Sequence, residues 1–141
     1  MAKPKTLIVT CDVPANTPAN VSVPANIIED GRTKVEIVVP KGKKLKILDI
    51  YITDTGEVGV DSEAVIKIDG TEVARTGPLK TKLASNPSRP RIGVIEVDEQ
   101  RRLTIDVFTL ASVGTGGASV KFYMDVVYEP KGFKLEIPKL F

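Results

Sequence analysis

Val120-Lys121-Phe122-Tyr123-Met124-Asp125-Val126-Val127-Tyr128-Glu129 is the stretch whose reading decides the fold. Val120, Phe122, Met124, Val126 and Tyr128 fall on one side of an extended chain, and Lys121, Tyr123, Asp125, Val127 and Glu129 on the other. Strict alternation is the mark of a strand with one face against a core and one toward water. A helix would need apolar residues at every third and fourth position, and that spacing is absent here.

The same period recurs on both sides of this run. Thr6–Asp12 is a short apolar run, and Lys34–Val39 places Val35, Ile37 and Val39 together. Leu45–Thr53 alternates, but its phase flips between Ile47 and Leu48, as a β-bulge or a strand buried on both faces would require. Glu63–Asp69 and Thr71–Arg75 flank Asp69-Gly70, the dipeptide of a two-residue hairpin turn. Ile92–Asp98 and Leu103–Leu110 bracket Glu99–Arg102 as a second hairpin, and Phe133–Ile137 reads as a last strand after Pro130-Lys131-Gly132. Composition agrees: 43 of 141 residues are Val, Ile or Thr, whose branched Cβ suits a pleated surface.

The expected architecture is all-β, a two-sheet antiparallel β-sandwich of about eight strands. A jelly roll is preferred and an immunoglobulin-like arrangement stands second. Its core is expected to hold Ile37, Ile50, Ile66, Ile105, Phe122, Met124 and Val126. Residues 1–129 form the sandwich, and 130–141 a strand or tail. Within the sandwich, residues 13–26 repeat Pro-Ala-Asn at 14–16, 18–20 and 24–26. With fixed φ and missing donors, this piece is expected to run extended over the surface or along a sheet edge, on its own body or a neighbour's. Thr76–Arg91 is a 16-residue connection with three prolines, longer than compact domains usually tolerate without a functional reason.

Chemistry is sparse. The chain has no His, no Trp and one Cys, which excludes His-based proton transfer, His metal ligands and an internal disulfide. Cys11 lacks a His partner and reads as a small core residue. Gly114-Thr115-Gly116-Gly117 precedes a strand, not the helix that a phosphate-binding loop opens, and reads as a turn. The loop acids Asp54, Glu57, Asp61 and Glu63 match no Ca²⁺-loop spacing, and no metal or other cofactor is expected. No enzyme activity is expected.

The formal net charge is +2, too near neutral for a strong phosphate-binding field. The Lys41, Lys43, Lys44 and Lys46 cluster and the basic residues of 76–91 therefore imply at most weak, non-specific nucleic-acid contact. No apolar run is long enough to span a membrane, and Leu7–Val9 is too short for a signal-peptide core. Many Lys, Glu, Val and Ile suit a thermophilic source.

What remains is Phe133, Leu135 and Ile137 in alternation, followed by Leu140 and Phe141. Apolar side chains at this density call for burial, each worth roughly 1.5–3 kcal/mol. These five residues are the expected assembly interface. The functional expectation is a homo-oligomeric structural subunit that packs with other shell proteins, most concretely a virion capsid or decoration protein made in a host cytoplasm. A β-sandwich binding module for a carbohydrate or peptide is the alternative.

Overall fold

A computed structural model describes residues 3–84 and 94–130. Among these residues the chain is all-β, in two antiparallel sheets that do not close into a barrel. Eleven strands appear in chain order: β1 Lys5–Val13, β2 Ser22–Pro24, β3 Asn26–Glu29, β4 Arg32–Lys34, β5 Ile37–Val38, β6 Lys43–Tyr51, β7 Ser62–Ile68, β8 Thr71–Pro78, β9 Ile95–Val97, β10 Arg102–Thr109 and β11 Ala118–Pro130. The larger sheet has the order β4-β3-β1-β11-β6-β9, and the smaller has β2-β10-β7-β8 with β5 also paired to β10. The inner faces share one apolar cluster, which contains Leu7, Val9, Ile47, Phe122 and Met124 from the larger sheet and Ile66, Ile105 and Val107 from the smaller. All seven residues expected in the core are in it.

The pairing is nested. The first strand lies against the last, with Lys5 opposite Val126. Inside that pair, β2 and β5 lie end to end along β10. Next come β6 with β9 and, innermost, β7 with β8. The innermost hairpin turns at Asp69 and Gly70, with φ of 51° and 83°, the doubly left-handed geometry that Asp-Gly accommodates.

The phase flip of β6 is a bulge. Asp125 pairs with Asp49 and Val126 with Ile47, so Leu48 is the extra residue. It lets Leu45, Ile47, Ile50 and Ile52 all face the core despite the break in alternation.

One element was not read from the sequence, and two readings are corrected. Asn26–Lys34 forms a hairpin, β3 and β4, through a second Asp-Gly turn at Asp30-Gly31. Lys34–Val39 is not one strand: the chain leaves the larger sheet after Lys34 and enters the smaller at Ile37. Val35 lies in this crossing and is 71% exposed, while Ile37 and Val39 are buried as expected. The start of the 76–91 connection is not open loop, because β8 runs to Pro78 and Leu79 is fully buried in the turn that follows. Residues 85–91 of that connection, the first two residues of the strand expected at Ile92–Asp98, and the strand expected at Phe133–Ile137 lie outside the described residues.

Candidate functional site

The Pro-Ala-Asn segment is held by its own body. Asn16 and Asn20 take left-handed φ of 64° and 65°, which bends the chain back onto the fold. The Asn16 amide donates to Gly114 O at 3.0 Å and the Asn20 amide to Thr109 O at 2.7 Å. Its last part becomes β2, an edge strand beside β10 in which Pro24 costs no ladder bond.

Two of the loop acids, Asp54 and Glu57, bind the backbone of their own loop. Asp54 Oδ1 caps a short 3-10 turn by accepting from the Gly56 amide at 2.7 Å. Glu57 Oε1 accepts from the Thr53 and Asp54 amides at 2.8 and 3.1 Å, and Glu57 Oε2 from the Tyr123 hydroxyl at 2.7 Å. Burial pushes the Glu57 carboxyl up, but these donors outweigh it and hold it below its ordinary value. Glu63 is bound by Arg75 at 3.3 Å and by the Gly77 amide at 3.2 Å. Among the described residues no group of three or more His, Cys, Asp or Glu is placed to hold a metal ion.

Cys11 is 3% exposed, and its thiol points toward Pro24 O at 3.6 Å. Burial, with the charges of Asp12 and Asp106, pushes it up to about 11, far from a nucleophilic thiolate at neutral pH. The residues 114–117 form a turn, closed by the Gly117 amide donating to Gly114 O at 3.3 Å.

The basic cluster divides. Lys44 pairs with Glu96 at 3.2 Å and Lys46 with Glu129 at 2.9 Å, both across the sheet. Neither Lys41 nor Lys43 has an ion-pair partner among the described residues. Lys82 is buried at 2% exposure, while Arg89 and Arg91 lie outside the described residues.

One polar constellation escaped the sequence reading. At one end of the larger sheet, Glu29 of β3 is met by Lys5 Nζ at 2.8 Å, Lys34 Nζ at 2.9 Å and the Tyr128 hydroxyl at 2.8 Å. The Glu29 side chain is only 7% exposed. Burial alone would raise its pKa, but the three donors outweigh that and bring the carboxyl down to about 2. Tyr128 is moved up by burial and by the Glu29 charge. Lys5, Glu29, Asp30, Lys34 and Tyr128 line one side of a cavity of about 320 Å³ whose other walls are Ile37, Val38, Pro40 and Lys43. Val38 is 49% exposed there, although the neighbouring Ile37 is 2% exposed.

The edges of both sheets are blunted, which prevents indiscriminate strand pairing. Among the described residues β4 and β9 are three residues long, and β5 is two. The longer edge strand β8 carries two register irregularities against β7. The five residues expected to form an interface, Phe133, Leu135, Ile137, Leu140 and Phe141, lie outside the described residues. The described chain ends at Pro130, opposite Lys43 and so beside the cavity. No family model matches the sequence, and no curated protein matches it.

Proposed function

We propose that this chain is a structural assembly subunit that self-associates into a shell or lattice, most concretely as a capsid or decoration protein of a virion. A jelly-roll sandwich is its body in this reading. The nested order supports that finer assignment, because the first strand pairs with the last and each inner pair repeats the relation. In an immunoglobulin-like sandwich the first strand neighbours the second instead. Jelly rolls are recurrent shell-building bodies, though fold alone does not assign a function.

The observation that carries the assembly reading is the pair of exposed valines Val35, in the crossing between the sheets, and Val38 of β5, 71% and 49% exposed. Val38 also lines the cavity, and exposed valines gain by being covered. The alternation of Phe133, Leu135 and Ile137 supplies apolar side chains close by in the sequence. The blunted edges support the same reading, since they leave association to side-chain fit rather than to open-ended sheet growth.

Size-exclusion chromatography with light scattering tests it. An assembly subunit elutes as a multiple of its 15.2 kDa chain mass, and a chain truncated after Pro130 elutes as a folded monomer. A full-length protein that stays monomeric at millimolar concentration overturns the assembly reading and favours a binding module.

A further inference from the structure

We propose that Asp30 is a site of spontaneous main-chain isomerisation to isoaspartate, while Asp69, in the same kind of turn, is protected from it. This chemistry is independent of assembly.

Asp-Gly occurs twice in the chain, at Asp30-Gly31 and Asp69-Gly70. Glycine after an aspartate leaves its amide nitrogen open, because no Cβ shields it. That nitrogen can attack Cγ of the protonated Asp carboxyl. A C–N bond forms, a carboxyl C–O bond breaks, and the hydroxyl leaves with the amide proton as water. The product is a cyclic imide. Water then opens the imide at either carbonyl. One opening returns aspartate, and the other leaves the main chain running through the side-chain carbon as isoaspartate. No oxidant, reductant or enzyme takes part. The reaction needs a carboxyl that can take up a proton and can rotate onto the nitrogen.

The backbone does not separate the two turns. Each joins its strands through two residues, with Glu29 opposite Arg32 and Ile68 opposite Thr71. Asp30 and Gly31 have φ of 52° and 77°, and Asp69 and Gly70 have φ of 51° and 83°. What differs is the hold on the carboxyl.

Both Asp69 oxygens are tied down. The Arg102 amide donates to Oδ1 at 2.9 Å, and the Arg101 guanidinium to Oδ2 at 2.8 Å. The Arg102 amide and the Arg101 guanidinium hold this carboxyl below its ordinary value, so the protonated form is scarce. Asp30 is held at one oxygen. Lys5 Nζ reaches its Oδ2 at 3.1 Å, and the same ammonium stands closer to Glu29, at 2.8 Å. Among the described residues no donor meets Asp30 Oδ1. The Asp30 side chain is 75% exposed, against 38% for Asp69. An exposed lysine pair of this kind restrains a carboxylate weakly.

Isomerisation at Asp30 lengthens the main chain by one carbon inside a two-residue turn. β4 then loses its register on β3, and Lys34 its reach to Glu29. The change therefore falls on the polar cluster that faces the cavity.

Incubating the folded, full-length protein in warm, mildly acidic heavy-oxygen water tests the assignment. Each imide opening leaves one heavy oxygen in the product. Digestion with trypsin in ordinary water then separates the turns into peptides 6–32 and 68–75, and fragmentation in the mass spectrometer locates the label. Label should enter at Asp30 roughly tenfold faster than at Asp69, about what one further hydrogen bond to a charged carboxylate is worth. In urea the two rates should come together. Equal rates in the folded protein, or faster labelling at Asp69, overturn the proposal. A difference that survives in urea also overturns it, because the neighbouring residues rather than the folded turn would then set the rates. So does an unlabelled Asp30 in folded protein when the unfolded chain takes up label. Arg101, whose side chain is 58% exposed, supplies a second check. Arg101→Ala should speed labelling at Asp69 and leave Asp30 unchanged; an unchanged Asp69 rate overturns the protection assigned to the guanidinium.

Discussion

Replacing Glu29 by Gln removes one negative charge from one end of the larger sheet and leaves Lys5 and Lys34 facing an uncharged amide. In the native protein those ammonium groups stand 2.8 and 2.9 Å from the carboxylate, and the Tyr128 hydroxyl donates to it at 2.8 Å. The carboxyl is held at about 2, against an ordinary value of 4.5. A full conversion of that difference would give roughly 3 kcal/mol, at about 1.4 kcal/mol per unit. Lys5 and Lys34 are themselves 34% and 41% exposed, so water screens part of the attraction, and about 1–2 kcal/mol is the expected loss at pH 7. The pH dependence follows from the sign. A lowered carboxyl contributes its stabilisation fully above its unfolded value and loses it as pH falls toward 2. Urea unfolding of both proteins between pH 7 and pH 2 measures this directly. The two stabilities should differ by the stated amount at neutral pH and converge between about pH 4.5 and pH 2. A difference below about 0.3 kcal/mol at pH 7, or one that persists unchanged at pH 2, would refute the argument that charge pairing stabilises this end.

Phe122→Ala should cost about 3–5 kcal/mol in denaturant unfolding, because Phe122 is fully buried and its removal leaves a cavity between the sheets. A cost under about 1 kcal/mol would show that the site collapses freely. Cys11→Ser should lower stability by about 1–3 kcal/mol, since a hydroxyl then enters an apolar site, while assembly on a sizing column stays intact. In the unmodified protein a thiol reagent should react only at the rate of unfolding, given a thiol pushed up to about 11; rapid labelling of folded protein contradicts that. Gly59→Ala should lower the melting temperature, because a Cβ there would lie 2.7 Å from Ser119 O on β11; an unchanged temperature would mean that the backbones separate at little cost.

Legibility followed the burial of one face against one partner. The runs of β7 and β11 keep one side largely in the core, so period sufficed to place them, and β1 and β10 showed as apolar runs. Even the Leu48 bulge announced itself, because an extra residue inverts the phase of everything after it. Val35 misled for a related reason. The Lys34–Val39 run keeps an alternating pattern while the chain moves from one sheet to the other, and periodicity does not report which sheet a residue belongs to. The β3–β4 hairpin did have a sequence signal in Asp30-Gly31, but its strands are short and Glu29 occupies an inward position. A buried glutamate reads as a loop residue until Lys5 and Tyr128, distant in sequence, are seen beside it.

Nesting the strands in pairs has a consequence for synthesis. The β7–β8 hairpin closes through two residues and can form as soon as both strands have left the ribosome. The β3–β4 hairpin closes as locally, but each pair nested around β7–β8 closes a longer loop, until β1 meets β11 across almost the whole chain, with Lys5 against Val126. Leu7 and Val9, made among the first residues, must therefore wait for Phe122 and Met124 before their main partner strand exists. Such long-range topologies fold on the order of milliseconds to seconds, much later than local hairpins. During that interval the apolar face of β1 is open to the same face on neighbouring nascent chains. The first strand can meet β3 early, but its other flank is among the last to be sheltered.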